Sequence, residues 1–251
     1  MTLLGALLAG ILQGLTEFLP VSSSGHLAIL ERLLGVEAGQ VGLAIAAHAG
    51  TLVAVLWVYG GVLRRSLTAA PTERRRFFHP FVWALVGTAP VALVLAPAAE
   101  RAFTDPRLVG VGFLVTSGLL LLLPRLPHRP AWLPRPLGAL LVGIVQGIAV
   151  WPGLSRSGAT IAALRGLGAD ADQAAEFSFL LAIPTVAAAL LRELLRGGFQ
   201  GPLLPLILAA AAAAISGIAS LRWTVRLLRQ GRLWWFALYT LVLAGVGLWL
   251  G

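Results

Sequence analysis

The 251 residues include no cysteine and no lysine; all 19 basic side chains are arginine. Without cysteine there is no disulfide framework and no thiolate chemistry, neither metal nor redox. Charge is scarce as well. Charged residues make up 12% of the chain and hydrophobic ones 58%, with a mean hydropathy of +0.89. A soluble domain of this size could not coat itself with so few polar groups, so the composition implies an all-α integral membrane protein of several helices. No G-x-x-x-x-G-K-[ST], H-E-x-x-H or C-x-x-C occurs, which removes P-loop, zincin and dithiol chemistry. The net charge of +9 would suit nucleic acid, but no soluble basic segment exists to hold it, and a nucleic-acid partner is not expected. The first residues do not read as a signal peptide: they lack a basic start, and Gln13 and Glu17 interrupt the apolar run.

What is there is a pattern of apolar runs. Six are long enough, or nearly so, to cross about 30 Å of hydrocarbon: roughly 41–63, 81–99, 108–123, 177–195, 202–221 and 233–250. Four more, at 3–18, 24–34, 137–150 and 157–167, are too short or broken to cross alone, and they come in two pairs. Each pair reads as a re-entrant helical hairpin, at 3–34 and 137–167. Irregular backbone at that depth is tolerated where it is buried in protein or lines a cavity. The order is hairpin, three spans, hairpin, three spans. An odd number of spans per unit turns the second copy upside down. The expectation is one membrane domain over 1–251, built from a first repeat at 1–124 and an inverted second repeat at 137–251.

Loop charge orients this plan. The stretches 64–80, 125–136 and 222–232 carry twelve arginines against one acid, Glu73, whereas the opposite side carries five, diluted by acids. The arginine-rich side is expected to be cytoplasmic, with both termini and the site's opening facing outward.

The two turns repeat one another. A shift of 133 positions carries Gln13-Gly14 onto Gln146-Gly147, and Ser22, Ser24 and Gly25 onto Ser155, Ser157 and Gly158; Ser23 falls on Arg156. Gln13 and Glu17, four apart, share a helix face. Pro20 ends that helix, and Ser22 or Ser24 is a candidate N-cap for the next, as Ser155 or Ser157 is in the second turn. Two helix N-termini pointing into the midplane would suit an anion, phosphate above all. Ser22, Ser24, Gly25, Ser155, Ser157, Gly158 and Thr160 are the candidate substrate-binding set.

Arg156 reads as a bidentate phosphate clamp or as an ion-pair partner of Glu17. Glu17 reads as a metal ligand, a general acid or base, or that partner. A hard cation such as Mg²⁺ or Ca²⁺ would use its carboxylate and the Gln13 carbonyl, with substrate phosphate completing the shell. His26 could activate a serine, attack phosphorus itself, or be satisfied by backbone. His48 and Thr51, among small residues, read as packing with a hydrogen bond; Glu176 and Ser178 read as a cap or dipole partner at a helix start. Tryptophans 57, 132, 223, 234 and 235 read as interface anchors, and Trp151 as a wall of the site. A transporter or flippase for a phosphorylated lipid is the rival class, since inverted repeats with broken helices are its usual plan.

The text G-L-T-E-F-L-P-V-S-S-S-G-H at 14–26, W-P-G-L-S-R-S-G-A-T at 151–160, E-F-S-F-L-L-A-I-P at 176–184 and H-A-G-T-L at 48–52 resembles the bacterial undecaprenyl-diphosphate phosphatases of the bacitracin-resistance type. The likeness spans most of the chain. It implies hydrolysis of undecaprenyl diphosphate to the monophosphate carrier lipid, in the bacterial inner membrane. It further implies a divalent cation, a site open to the outer face, and often a homodimer. Glu17, Ser23, His26 and Arg156 stand at the family's essential positions. Gln13 heads its [E/Q]-x-x-x-E motif in the neutral variant, one carboxylate fewer for a metal.

Overall fold

The computed structural model describes residues 2–34, 41–126, 135–197 and 201–251. Those residues form ten α-helices: α1 (Leu3–Phe18), α2 (Ser23–Leu34), α3 (Val41–Thr68), α4 (Pro71–Phe103), α5 (Pro106–Leu122), α6 (Pro136–Ile148), α7 (Arg156–Gly166), α8 (Ala171–Gly197), α9 (Leu203–Arg229) and α10 (Trp235–Leu250). The short apolar runs are the pairs α1–α2 and α6–α7, as the sequence implied.

Local chemistry sets the boundaries. Thr2 caps α1 by accepting the Gly5 N–H, and α4, α5 and α6 each start on proline, whose missing N–H costs nothing at that position. Asp170 and Gln173 exchange side-chain-to-backbone bonds at the start of α8, a capping box. That corrects the expectation for Glu176 and Ser178, which lie more than a turn inside α8 because the cap sits earlier.

One further expectation is corrected. The arginine-rich stretches are largely helical. Arg64 and Arg65 end α3, Arg74, Arg75 and Arg76 begin α4, and Arg222, Arg226 and Arg229 end α9. The long side chains ride on helix ends that outrun the apolar run, so the α3–α4 connection shrinks to residues 69 and 70. Five helices (α3, α4, α5, α8 and α9) are long and apolar enough to cross a membrane. The sixth, α10, has 16 residues, about 24 Å at 1.5 Å per residue. Arg129 and Trp132 lie outside the described residues.

The short helices α1 and α6 are held by close backbone contact. Gly10 of α1 faces the backbone of Ala209 in α9, and Gly143 of α6 faces that of Ala84 in α4; a Cβ at either would strike a carbonyl oxygen. These glycines are equivalents under the 133-residue shift. Hydroxyls seal both seams: Ser220 donates to the Gly14 carbonyl at 2.7 Å, and Thr88 to the Gly143 carbonyl at 3.0 Å. The pair α5 and α10 is tied by Ser117, which donates to the Ala237 carbonyl at 2.9 Å. Beneath the first turn lies an aromatic floor. Phe18 meets Phe179 edge-on at 5.8 Å, and Phe81 stacks on Phe177 at 4.5 Å. The outer face of α4, with Leu93 and Val94 about three-quarters exposed, is apolar surface of the kind lipid covers.

Candidate active site

The two polar turns meet. Ser157 of the second donates to the Leu19 carbonyl of the first at 3.1 Å. Gly25 lies so close to Gly153 that an added Cβ would sit 2.7 Å from its Cα. Gly153 itself has φ +86°, a backbone conformation open to glycine. Thr116 of α5 latches the second turn, accepting the Ser155 N–H at 2.9 Å and donating to the Gly153 carbonyl at 2.8 Å.

Each turn launches its helix in the same way. Ser22 accepts the Gly25 N–H at 3.3 Å, and Ser155 accepts the Gly158 N–H at 3.1 Å. Ser22 and Ser155 are therefore the caps, rather than Ser24 and Ser157. The N–H groups of Ser23 and Ser24 at the start of α2, and of Arg156 and Ser157 at the start of α7, have no partner among the described residues. These free donors at two positive dipole ends are what an anion site requires.

Three of the sequence candidates converge on the carboxylate of a fourth. Glu17 Oε1 accepts from Arg156 Nη2 at 2.8 Å; Oε2 accepts from Ser23 Oγ at 2.9 Å and from Gln13 Nε2 at 3.0 Å. The Glu17 and Arg156 side chains are 9% and 16% exposed, so this pair is largely removed from water and from salt screening. Both readings of Arg156 gain an observation. The ion pair exists, and the second terminal nitrogen, Nη1, is buried without a partner.

The other candidates are differently occupied. Ser22 and Ser24 hydroxyls lie 3.3 Å apart, and those of Ser155 and Ser157 3.2 Å apart. Thr160 donates to the Arg156 carbonyl and lies 2.6 Å from the Ser178 hydroxyl. Apart from Ser23 and Ser24, the site hydroxyls are committed to holding the turns, because a buried hydroxyl must find a partner. The His26 ring bonds no serine hydroxyl. Its Nδ1 bonds the Ser22 carbonyl at 2.7 Å and its Nε2 the Tyr239 hydroxyl at 2.6 Å. The expectation that His26 activates a serine or attacks phosphorus meets a ring with both nitrogens engaged. Tyr239 is the residue the sequence reading missed. A tyrosine five positions into a helix that opens on two tryptophans carries no signal of its own. His48 bonds the Ala44 carbonyl and Thr51 the His48 carbonyl, as expected of packing. Trp151 does wall the second turn, donating to the Leu108 carbonyl at 3.0 Å.

The groups that could hold a cation are a carboxylate, the amide oxygen of Gln13, whose nitrogen here faces Glu17, and a hydroxyl. Among the described residues no three His, Cys, Asp or Glu stand together. Protein ligands alone would therefore leave a hard cation short of its six or more oxygens, while phosphate oxygens at the same place would supply the remainder.

Residues 6–246 match the family model described as bacitracin resistance protein BacA. The chain is 38% identical to the undecaprenyl-diphosphatase of Desulfatibacillum aliphaticivorans over 261 residues, with 94% of each chain covered. It is 38% identical to that of Salinibacter ruber with both chains covered in full, and 38% identical to that of Rhodopirellula baltica, covering 97% of this chain and 96% of that one.

Proposed function

The chain belongs to the bacitracin resistance protein BacA family, and from that premise we infer that it is an integral membrane phosphatase that converts undecaprenyl diphosphate to undecaprenyl phosphate and inorganic phosphate, recycling the carrier lipid of cell-wall synthesis. The observation that carries a hydrolytic reading is the Ser23–Glu17–Arg156 chain. A hydroxyl donates to a carboxylate at 2.9 Å, and the carboxylate is braced by a buried guanidinium with one nitrogen to spare.

The proposed mechanism follows from those contacts. Arg156 Nη1 and the free N–H groups of α2 and α7 hold the terminal phosphate, and as the guanidinium shares its charge with phosphate the Glu17 carboxylate is freed to take a proton. Ser23 Oγ attacks the terminal phosphorus while its proton passes to Glu17. The bond to the bridging oxygen breaks, and that oxygen leaves with the lipid monophosphate, taking the proton. Glu17 then deprotonates a water that opens the phosphoserine, giving inorganic phosphate and restoring Ser23. Fixed donors aimed at developing charge are the largest lever such a site has. A divalent cation belongs to the same proposal, held by Glu17 and Gln13 together with phosphate oxygens. When bound it would neutralise phosphate charge.

We extend the proposal to architecture. Six spans and two re-entrant hairpins in inverted repeats are supported by the matching seams of α1 on α9 and α6 on α4. The excess of arginine in the stretches 64–80, 125–136 and 222–232 supports an orientation with termini and site opening outward, and the bacterial relatives support the bacterial inner membrane. The transporter reading draws no support from the three relatives named above, each an undecaprenyl-diphosphatase.

Purified protein in detergent, given undecaprenyl diphosphate and scored for inorganic phosphate, tests the reading. Release is expected from the native chain and should collapse in Ser23→Ala, Glu17→Ala and Arg156→Ala. Near-normal turnover in the arginine variant would remove the clamp.

A further inference from the structure

We infer that Tyr239 is a positioning residue for this reaction, acting through His26 on the strained turn that presents Ser23; the inference rests on the phosphatase reading above. The chain of contacts is continuous. The Ser22 carbonyl accepts both the His26 backbone N–H at 3.2 Å and the His26 ring at 2.7 Å. A carbonyl can only accept, so Nδ1 carries the ring proton. In the neutral ring Nε2 is then the acceptor, and the Tyr239 hydroxyl donates to it across 2.6 Å.

The ring is fixed in orientation as well as in hydrogen bonding. The Tyr239 ring lies at 5.6 Å and 22° to it, and Phe113 meets it edge-on at 5.7 Å and 81°. Tyr239 in turn is fixed because the Ser117–Ala237 bond pins α10 to α5 two residues away.

At the far end of the chain, Ser22 has φ +64°. Among described non-glycine residues it alone has positive φ, a conformation that persists only when its surroundings over-determine it. Ser23 follows directly. If the imidazole let go of the Ser22 carbonyl, the turn would relax and the Ser23 hydroxyl would leave its line to Glu17. The second turn is held by a different device, Thr116, and has alanine, Ala159, where the first has His26. The Tyr239–His26 brace thus serves only the turn that carries the nucleophile.

A double-mutant cycle tests this: native chain, Tyr239→Phe, His26→Gln and the double variant, purified in detergent and assayed with undecaprenyl diphosphate. Tyr239→Phe keeps the ring and loses one hydrogen bond, so kcat should fall about tenfold with KM nearly unchanged. In the His26→Gln background the tyrosine change should cost nothing more. Histidine-¹⁵N spectra, with His26→Gln for assignment, should show the Nδ1–H tautomer at His26 in the native chain and a tautomer mixture or altered Nε2 shift in Tyr239→Phe. Thermal unfolding of each variant reports whether a loss is merely structural. Native kcat in Tyr239→Phe, or losses that multiply in the double variant, would overturn the proposal. A native chain that releases no phosphate would overturn the phosphatase reading instead, while the imidazole spectrum would still report whether Tyr239 holds His26.

Discussion

Gly25→Ala puts the meeting of the two turns to the test. An alanine Cβ there would sit 2.6 Å from Phe113 Cζ, 2.7 Å from Gly153 Cα and 2.8 Å from Gly153 N. Carbon atoms pack at about 3.5–4.0 Å, so the deficit is about 1 Å. Phe113 can tilt its ring, but Gly153 cannot yield easily. It is backbone, at φ +86°, with its carbonyl held by Thr116. The turns must therefore separate by the better part of an ångström. Overpacking of this kind costs about 1–3 kcal/mol of stability. The larger effect falls on the rate, because Glu17 and Ser23 come from the first turn and Arg156 from the second. A displacement of about 1 Å at a reacting centre costs on the order of a hundredfold. The control is the equivalent glycine of the other copy. A Cβ at Gly158 finds nothing nearer than 3.3 Å, from Pro20 Cβ and the Ser155 side chain, so Gly158→Ala asks only a few tenths of an ångström of its neighbours. Phosphate release and thermal unfolding measured on both variants should show a large loss of kcat in Gly25→Ala and a much smaller one in Gly158→Ala. Equal losses, or a native rate in Gly25→Ala, would refute the packed contact between the turns.

Glu17→Gln keeps the shape of the side chain but removes its charge, and removal of a general base should lower kcat by about 10²–10⁴; a rate within a few-fold of native would assign Glu17 a purely structural role. Thr116→Val strands the buried Ser155 N–H and Gly153 carbonyl at nearly constant volume and should cost about 1–3 kcal/mol for each orphaned group, read as a fall in the unfolding midpoint. Exhaustive chelation should abolish phosphate release and added Mg²⁺ or Ca²⁺ restore it, while direct titration of the lipid-free protein shows only weak cation binding; tight binding without substrate would contradict a shell completed by phosphate.

How much of this was legible in the chain depends on the range of the interaction involved. The α1 boundaries, the stop at Pro20 and the narrowing of each cap to two serines (Ser22 or Ser24, Ser155 or Ser157) rest on residues a few positions apart, where propensity and capping rules operate. The cluster of Gln13, Glu17 and Ser23 was half legible: i, i+4 spacing aligns the first two, but only the folded turn brings Ser23 to Glu17. Arg156 was recognised as Glu17's candidate partner because both are charges in an apolar chain. Tyr239 was not found, since 213 positions separate it from His26 and nothing in a helical period encodes that pairing. Ser178 was assigned to a helix start, yet it meets Thr160, because the box at Asp170 and Gln173 moved the start of α8. The arginine clusters were assigned to loops because hydropathy measures the apolar run, whereas a helix continues until its backbone is stopped.

Comparing the two turns position by position separates what the fold needs from what the chemistry needs. Both copies keep the capping serine, at 22 and 155, and the glycine three residues on, at 25 and 158. Those residues serve the backbone: each serine caps its helix by accepting the N–H of the glycine three residues on. Both keep glutamine at 13 and 146, but the two amides differ in use. Gln13 donates to Glu17, whereas Gln146 donates to Thr88 and leaves its Oε1 buried without a partner. The copies diverge where charge or proton transfer would occur. Glu17 is matched by Val150, Ser23 by Arg156, and His26 by Ala159. Exposure and electrostatics account for the divergence. Position 150 is exposed rather than turned into the site, and a second arginine at 23 would repel the first and remove the hydroxyl. One acid and one base within hydrogen-bonding distance neutralise each other in a site sheltered from water, and an incoming diphosphate can then exchange with the carboxylate for the guanidinium. Symmetric copies could supply two anchored turns but not a neutral pair, so the working site requires the two copies to differ at these positions.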